Sequence, residues 1–195
     1  MSTTAYFATI VEFILGLLFA VTAGGKLVSR AHRQAFTNLV AQHLPAPLIG
    51  VIGGAWARHT AACVAAVVVA AEAATAILLL IGPSATRSWG LLAAGGLLVA
   101  FAVVVAHALV GRQNLTCRCF GAKGRTYSWR HLLRNVVLVL ATLAAWHVRL
   151  VVPAGEVQVS EAAMCLAVAA VIVAIIILNE TIQIPSDERA NTRSW

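Results

Sequence analysis

Residues 57–81 read ARHTAACVAAVVVAAEAATAILLLI, an apolar run in which Glu72 is the only charged residue after Arg58. A helix of about 20 residues crosses a hydrocarbon core of about 30 Å, and this run is long enough. It has neither the period-2 alternation of a strand nor internal turn residues. Because a bilayer cannot satisfy open backbone groups, we predict a membrane-spanning helix here.

Four further stretches have the same character: 5–23, 89–110, 132–152 and 160–178. The chain is 61% hydrophobic and 11% charged, with a mean hydropathy of +0.88, which excludes a soluble domain with a polar shell. The first stretch has no basic residues before it and no cleavage site after it, so we predict a retained helix. The fold class is therefore an all-α integral membrane protein: a four-helix transmembrane bundle plus a fifth C-terminal transmembrane helix.

The segments between and within these stretches predict how the helices meet. Small residues recur in the first and third stretches and would let helix backbones approach closely. They are Gly16, Ala20, Gly24, Gly90, Gly95 and Gly96. Between Leu27 and Trp56, apolar residues such as Phe36 alternate with polar ones at helical spacing, which predicts an amphipathic helix at the membrane interface.

The net charge of +7 does not indicate nucleic-acid binding, because the basic residues lie in short loops beside apolar spans. There they orient helices and contact membrane lipid. Ten of the 14 lysines and arginines fall in or beside the first and third loops: Lys26, Arg30, Arg33, Arg58, Arg112, Arg118, Lys123, Arg125, Arg130 and Arg134. The positive-inside tendency alone would place these loops in the cytoplasm.

The third loop contains the sequence LTCRCFG at 115–121, which sets Cys117 and Cys119 one residue apart among basic residues. Neighbouring cations favour the thiolate, the form that attacks disulfides and binds metals. A disulfide between these cysteines requires a turn, for which Gly121 is suited, and would be strained and easily reduced. Unreactive loop thiols, or a metal contact with too few local ligands, are the alternatives.

The CRCFG motif at 117–121, followed by Ser128-Trp129 and Arg134-Asn135, resembles the MauE family of methylamine-utilization membrane proteins, which is grouped with DoxX-like redox-associated proteins. The upstream residues that fit the same pattern are Gly24, Gly25, Lys26, Leu27, Glu72, Gly111 and Arg112. The resemblance covers about the first 150 residues and departs from the family at Arg118, where glycine is common, and in the added fifth helix.

The resemblance implies a four-helix membrane core that serves disulfide formation or redox maturation of extracytoplasmic proteins, comparable in logic to the vitamin K epoxide reductase bundle. It implies a MauE/DoxX-like core over 1–153, with the C-x-C loop at 111–131, followed by the fifth helix and a polar tail at 154–195. It also implies a plasma-membrane protein with its C-x-C loop on the extracytoplasmic side.

Two acidic residues, Glu12 and Glu72, lie inside apolar stretches, where ionisable groups are costly and indicate function or a specific partner. Counting along the helices gives them similar depths, so we predict that they share a proton. Lys26 falls on nearly the same helix face as Glu12. The alternative is that these groups only hydrogen-bond the helices together.

Three other residues are candidates through their positions along the chain. His107 lies about one turn before the thiol loop and is a candidate proton-exchange group or an ordinary packing residue. Cys63 lies near the end of its helix on the thiol-loop side and is a candidate resolving thiol or a small buried side chain. Cys165 is expected to be structural.

The first functional hypothesis is a membrane thiol-disulfide oxidoreductase or electron-transfer component, in which Cys117 and Cys119 exchange with a thiol-bearing partner protein. Supporting roles fall to Arg118, Glu72, Lys26, His107, Cys63, Arg134 and Asn135. A membrane quinone is the possible electron acceptor, and no metal ligands are assigned. The alternatives are a non-enzymatic assembly or scaffold subunit of a membrane complex and a thiolate relay for a soft metal ion.

Overall fold

The computed structural model describes residues 3–43, 54–110, 116–117, 125–126, 129–151 and 159–182. Six helices occupy nearly all of these residues, in the order α1 (Thr3–Leu27), α2 (Arg30–His43), α3 (Gly54–Leu80), α4 (Ser84–Val110), α5 (Trp129–Val151) and α6 (Val159–Ile182). Between α4 and α5, the two-residue strands β1 (Thr116–Cys117) and β2 (Arg125–Thr126) pair with each other.

Five of the described helices are long and apolar enough to cross a membrane, as predicted. The candidate spans are Thr3–Leu27, Arg58–Leu80, Ser84–Val110, Trp129–Val151 and Ser160–Leu178. Their outer faces expose aliphatic side chains, including Val67, Val103 and Ile175. A soluble fold would bury such faces, so their exposure fits a multi-pass membrane protein in contact with lipid.

Local sequence explains where the short connections fall. Ser29 directly precedes α2. Its Oγ accepts a hydrogen bond from the backbone N–H of His32 at 3.1 Å, so Ser29 is the N-cap of α2. The chain leaves α3 through Gly82, where a Cβ would collide with the carbonyl oxygen of Leu78. Pro83 then accepts the first backbone bonds of α4. The connection between α3 and α4 is therefore tight, and these two helices are antiparallel.

The first helix is the centre of the assembly. Helix α1 packs against α2, α3, α5 and α6 and touches α4, while α3 packs on α4 and α4 on α5. The main core lies around Leu15, Leu79 and Leu91, all of which are almost fully buried. A second cluster joins Phe13 of α1 to Cys165 of α6, so Cys165 is a buried packing residue, as predicted.

The prediction that small residues allow close helix approach is confirmed at some positions only. A Cβ added at Gly16 would lie 2.8 Å from the side chain of Leu80, and one at Gly90 would lie 2.9 Å from Leu79. The missing side chains at Gly16 and Gly90 therefore allow α1 and α4 to pack closely against the end of α3. Added Cβ atoms at Gly24 and Gly96 meet nothing within 4 Å among the described residues, so no such contact is seen there for these two glycines.

The amphipathic segment predicted in the first loop is helix α2. Its Phe36 is buried against the bundle, whereas Arg30 and Arg33 are exposed. The helix lies against α3 and α1, so its apolar face is covered by the protein itself.

Candidate functional site

The first part of the candidate site is the thiol loop, of which the structure describes four residues. Cys117 pairs with Arg125 and Thr116 pairs with Thr126 in an antiparallel register. The chain therefore reverses direction between these two strands and returns a basic position to the level of Cys117. Arg118 and Cys119 lie outside the described residues, and the proposed disulfide between the two cysteines remains a prediction.

The second part is an ion pair buried among the helices. Lys26 in the last turn of α1 donates a hydrogen bond from Nζ to Oε1 of Glu72 in α3. The lysine side chain is 4% exposed and the glutamate is fully buried. Sequence reasoning marked each residue as a candidate, and the structure brings them into direct contact.

Two aromatic rings complete the surroundings of the lysine. Its Nζ lies 4.4 Å from the ring centroid of Phe36 in α2 and 5.2 Å from that of Phe101 in α4. A cation over an aromatic face is attracted by the ring's negative centre. The ammonium group of Lys26 is thus held by residues from α2, α3 and α4 at once.

Only one of the two carboxylate oxygens of Glu72, Oε1, has a partner in these contacts. Its Oε2 is buried and has no hydrogen-bond partner among the described residues. A buried carboxylate oxygen without a partner is costly in an apolar interior and is rare in folded proteins. This atom is the clearest departure from complete polar pairing in the described part of the site.

Asn135 lies at about the same height in the bundle as this pair. The contact between Gly95 and Thr142 fixes the register of α4 against α5. At about 1.5 Å per residue, Phe101 lies about 9 Å from that contact along α4, and Asn135 lies about 10 Å from it along α5. Both distances run toward the end of the bundle that carries the thiol loop. Asn135 is buried, so the core holds a polar layer at the level of Lys26.

This layer lies below the helix ends that carry the thiol loop. Phe101 is about 13 Å along α4 from Val110, and Asn135 is about 9 Å along α5 from Trp129, at about 1.5 Å per residue. Arg134 is half-buried near the same end of α5, while His107 is exposed on the outer face of α4. The exposure of His107 separates it from the polar layer, and its proposed exchange with a thiol remains a prediction.

A second ionic cluster lies at the opposite end of the bundle, around Glu12. Arg149 of α5 donates from Nε to Oε1 at 2.7 Å and from Nη2 to Oε2 at 2.8 Å. Its Nη2 also donates to Oγ1 of Thr9 at 3.1 Å. Arg87 of α4 reaches Oε2 of Glu12 at 3.5 Å and donates from Nε to the carbonyl oxygen of Gly82 at 3.0 Å. Both carboxylate oxygens of Glu12 therefore have cationic partners.

The prediction that Glu12 and Glu72 share a proton at a common depth is wrong. Each carboxylate has its own cation, and Glu12 lies level with the first turn of α4 and the last turns of α5. The depth count failed because it placed the end of α1 beside the start of α3. The contact between Lys26 and Glu72 instead places the C-terminal end of α1 well inside the length of α3. Helix α2 also packs against α3.

Cys63 does not join the buried polar layer, because its side chain is exposed on α3. Its proposed role as a resolving thiol remains a prediction. Among the residues that the structure describes, there is no group of three or more histidine, cysteine, aspartate or glutamate side chains arranged to hold a metal ion.

Sequence reasoning missed the partners that define both clusters. Arg149 lies within the predicted span 132–152, and an arginine there was a signal for a buried acidic partner. Arg87 precedes the predicted span 89–110, so it does not stand out as a charged residue inside an apolar stretch. Phe36 and Phe101 carry no sequence signal that separates them from ordinary packing residues.

Comparison with known proteins identifies one family. The family described as "Methylamine utilisation protein MauE" matches residues 4–148, which covers α1 to most of α5 and includes the thiol loop. No curated protein and no solved structure matches the chain in the corresponding comparisons.

Proposed function

This chain belongs to the MauE family of methylamine utilisation proteins, and from that premise we propose that it is a membrane thiol-disulfide oxidoreductase or electron-transfer component. Cys117 and Cys119 form its redox pair and act in disulfide formation or redox maturation of a thiol-bearing partner protein. In the oxidising direction, a partner thiolate attacks the Cys117–Cys119 disulfide and forms a mixed disulfide. A second partner thiol resolves it, so the partner gains a disulfide and the loop gains two thiols.

The observation that carries this proposal is the position of Cys117 in the fold. It lies in a short hairpin between two spanning helices, and the register sets Arg125 opposite it. Arg112, Arg118 and Lys123 lie close in sequence. Cations beside a cysteine favour the thiolate and make it a better leaving group in disulfide exchange.

The reaction needs an electron acceptor to regenerate the disulfide. We propose a membrane quinone in this role, since a quinone takes up two electrons and two protons from two thiols and becomes a quinol. Lys26, Glu72 and Asn135 support the loop from the polar layer beneath it. In this proposal, α1, α3, α4 and α5 form the family core within 1–153, and α6 is an addition in 154–195 that packs on α1.

We further propose that the protein lies in the plasma membrane with its thiol loop on the extracytoplasmic side. The many basic residues of the loops oppose this orientation by the positive-inside tendency. Their role in favouring thiolates is a separate reason for arginine and lysine near the cysteines. Orientation and redox state are therefore tested together.

The experiment uses a Cys63→Ser/Cys165→Ser variant, which leaves Cys117 and Cys119 as the only thiols. Intact cells are treated with a membrane-impermeant maleimide that adds mass, with and without prior reduction. The expected result is labelling of both cysteines from outside the cell, only after reduction. A Cys117→Ser/Cys119→Ser variant in the same background is the control and takes no label.

The opposite result is labelling without reduction, and only after lysis. It would place free thiols in the cytoplasm and would favour the two other functions: a scaffold subunit of a membrane complex or a relay for a soft metal ion. Stoichiometric metal in the purified protein would then identify the relay.

A further inference from the structure

The chain contains two buried glutamates with very different surroundings. Glu12 has cationic partners on both carboxylate oxygens, from Arg149 and Arg87. Glu72 has Lys26 on Oε1 and no partner among the described residues on Oε2. A proton added to Glu12 would displace an arginine, whereas a proton on Oε2 of Glu72 would displace nothing described in the structure.

Glu72 is also alone among the acidic residues of its region. It is the only aspartate or glutamate between Glu12 and Glu156, a stretch that includes all of α2 to α5 and the thiol loop. Apart from Glu12, which has its own partners at the opposite end of α1, the charged and histidine side chains described on the helices packed against α3 are cationic or neutral. They are Lys26 on α1, Arg30, His32 and Arg33 on α2, Arg58 and His59 on α3 itself, and Arg87 and His107 on α4. Between Glu12 and Glu156, Glu72 is therefore the only carboxyl group that can respond to charge in the thiol loop.

The cation beside Glu72 keeps partners when the glutamate is neutral. Lys26 lies over the rings of Phe36 and Phe101, which continue to attract the ammonium group after Oε1 loses its charge. Removing the negative charge from the carboxylate thus does not leave the lysine without stabilising contacts. The ammonium group of Lys26 therefore has described partners whether Glu72 is charged or neutral.

We propose that Glu72 is a proton-binding residue coupled to the thiol loop, which takes up a proton when the Cys117–Cys119 disulfide is reduced and releases it on reoxidation. The inference rests on the proposed function. With a dithiol as reductant, the dithiol becomes a disulfide and gives up two electrons and two protons. The electrons open the Cys117–Cys119 bond, one proton stays on one of the two cysteines as a thiol, and the other goes to Glu72. The second cysteine remains a thiolate among the basic residues.

The physical reason is a transfer of negative charge from the core to the loop. The total charge is unchanged, because one carboxylate is lost and one thiolate is formed. The thiolate is stabilised by neighbouring cations, and the core loses the negative charge of a carboxylate whose Oε2 has no described partner. The polar layer that holds Glu72 lies roughly 9 to 13 Å along α5 and α4 from the helix ends that carry the thiol loop, at about 1.5 Å per residue. Charges act on each other over such distances more strongly inside a protein than in water.

The test is a reduced-minus-oxidised infrared difference spectrum of the Cys63→Ser/Cys165→Ser protein, purified in lipid, with a dithiol as reductant. We expect a positive band of a protonated carboxyl group in the reduced state. It should disappear in Glu72→Gln and shift in frequency in Glu72→Asp, which keeps a carboxyl group if Glu72→Gln does not fold. A Glu12→Gln variant is the matched control and should keep the band.

Mass-shift alkylation of the same samples reports the redox state of Cys117 and Cys119. It therefore distinguishes failure of the proton-binding role of Glu72 from failure of the redox function. If Cys117 and Cys119 cycle between disulfide and thiols but no band depends on Glu72, the proton-binding role is overturned and the redox function stands. If the two cysteines never form a reversible disulfide, the redox function fails and this inference fails with it.

Discussion

At the scale of single residues, the molecule depends on charges that are buried and paired. Truncating one member of a buried ion pair leaves the other charge without a partner, which typically costs about 3–5 kcal/mol. Replacing both members by apolar residues of similar size is often nearly neutral. Single and double substitutions at such a pair therefore give different and informative results.

The Lys26–Glu72 pair gives the first prediction. We expect Lys26→Met to lower the free energy of unfolding by about 3–5 kcal/mol, because it removes the cation that the structure places against the fully buried Glu72. The double variant Lys26→Met/Glu72→Leu should recover most of this loss. Denaturant unfolding of the purified protein in detergent measures both, and Arg33→Met, at an exposed position, is the control.

A loss from Lys26→Met no larger than that from Arg33→Met would show that the ion pair contributes little to the fold. A double variant that is less stable than the single one would show that the two side chains are needed for packing rather than for charge compensation.

The Glu12 cluster gives the second prediction, a ranking of its two arginines. Arg149 holds both carboxylate oxygens at 2.7 and 2.8 Å and is 8% exposed, whereas Arg87 reaches one oxygen at 3.5 Å and is 20% exposed. We expect Arg149→Met to cost about 3–5 kcal/mol and Arg87→Met about 1 kcal/mol. Arg149→Lys should not restore stability, because an ammonium group cannot make the two-pronged contact.

The same unfolding assay ranks these variants. Equal effects of Arg87→Met and Arg149→Met would contradict the ranking and would mean that the bond of Arg87 to the carbonyl of Gly82 is as important as the paired contact of Arg149.

At the scale of elements, the approach of α1 to α3 depends on a missing side chain at Gly16. Gly16→Leu should destabilise the protein by about 1–3 kcal/mol, because a Cβ there would already lie 2.8 Å from Leu80 and 3.3 Å from Leu79. Gly96→Leu is the matched control: its Cβ meets no atom of the described residues within 4 Å, and leucine is a better helix former than glycine. Thermal unfolding should show a lower midpoint for the first variant alone.

The helices themselves were predictable from the sequence, and their mutual positions were not. The run at 57–81 and the four similar stretches gave five spans, because hydropathy is a property of each segment alone. The error at Glu12 came from assuming that α1 ends level with the start of α3. Only the packing of α2 against α3 and the contact of Lys26 with Glu72 reveal the offset.

In the candidate site too, individual residues were predictable from the sequence, whereas their pairing was not. Lys26, Glu72 and Asn135 were marked from sequence because polar residues in apolar helices are costly and need a reason. Which base meets which acid depends on residues far apart in the chain, such as Arg149 and Glu12, and no local pattern encodes that pairing. Phe36 could not be assigned a role before α2 was seen to cover Lys26.

At the scale of the whole molecule, the five long helices predict which connections share a side of the membrane. The connection between α3 and α4 and the one between α5 and α6 should lie opposite the thiol loop. Cysteines introduced as Ser84→Cys or Ser160→Cys, in a background with the four native cysteines replaced by serine, should be labelled from the side opposite to Cys117. Both serines are exposed at the starts of their helices.

Impermeant maleimide applied to intact cells and to inverted vesicles distinguishes the two sides. If Ser84→Cys and Ser160→Cys are labelled from different sides, α4 and α5 do not both cross the membrane, and the five-span arrangement is wrong.

The contact between Arg149 and Glu12 joins residues 137 positions apart and has a consequence for synthesis of the chain. Among the described helices, α1 is synthesised first, and it carries Glu12 and Lys26 before their partners on the later helices exist. Lys26 gains its partner when α3 has been made. Glu12 gains the contact of Arg87 with α4, but its two-pronged contact with Arg149 forms only at the end of α5. A chain halted before Arg149 would therefore hold Glu12 with only the 3.5 Å contact of Arg87, so the polar pairing of α1 is completed only once the end of α5 has been inserted.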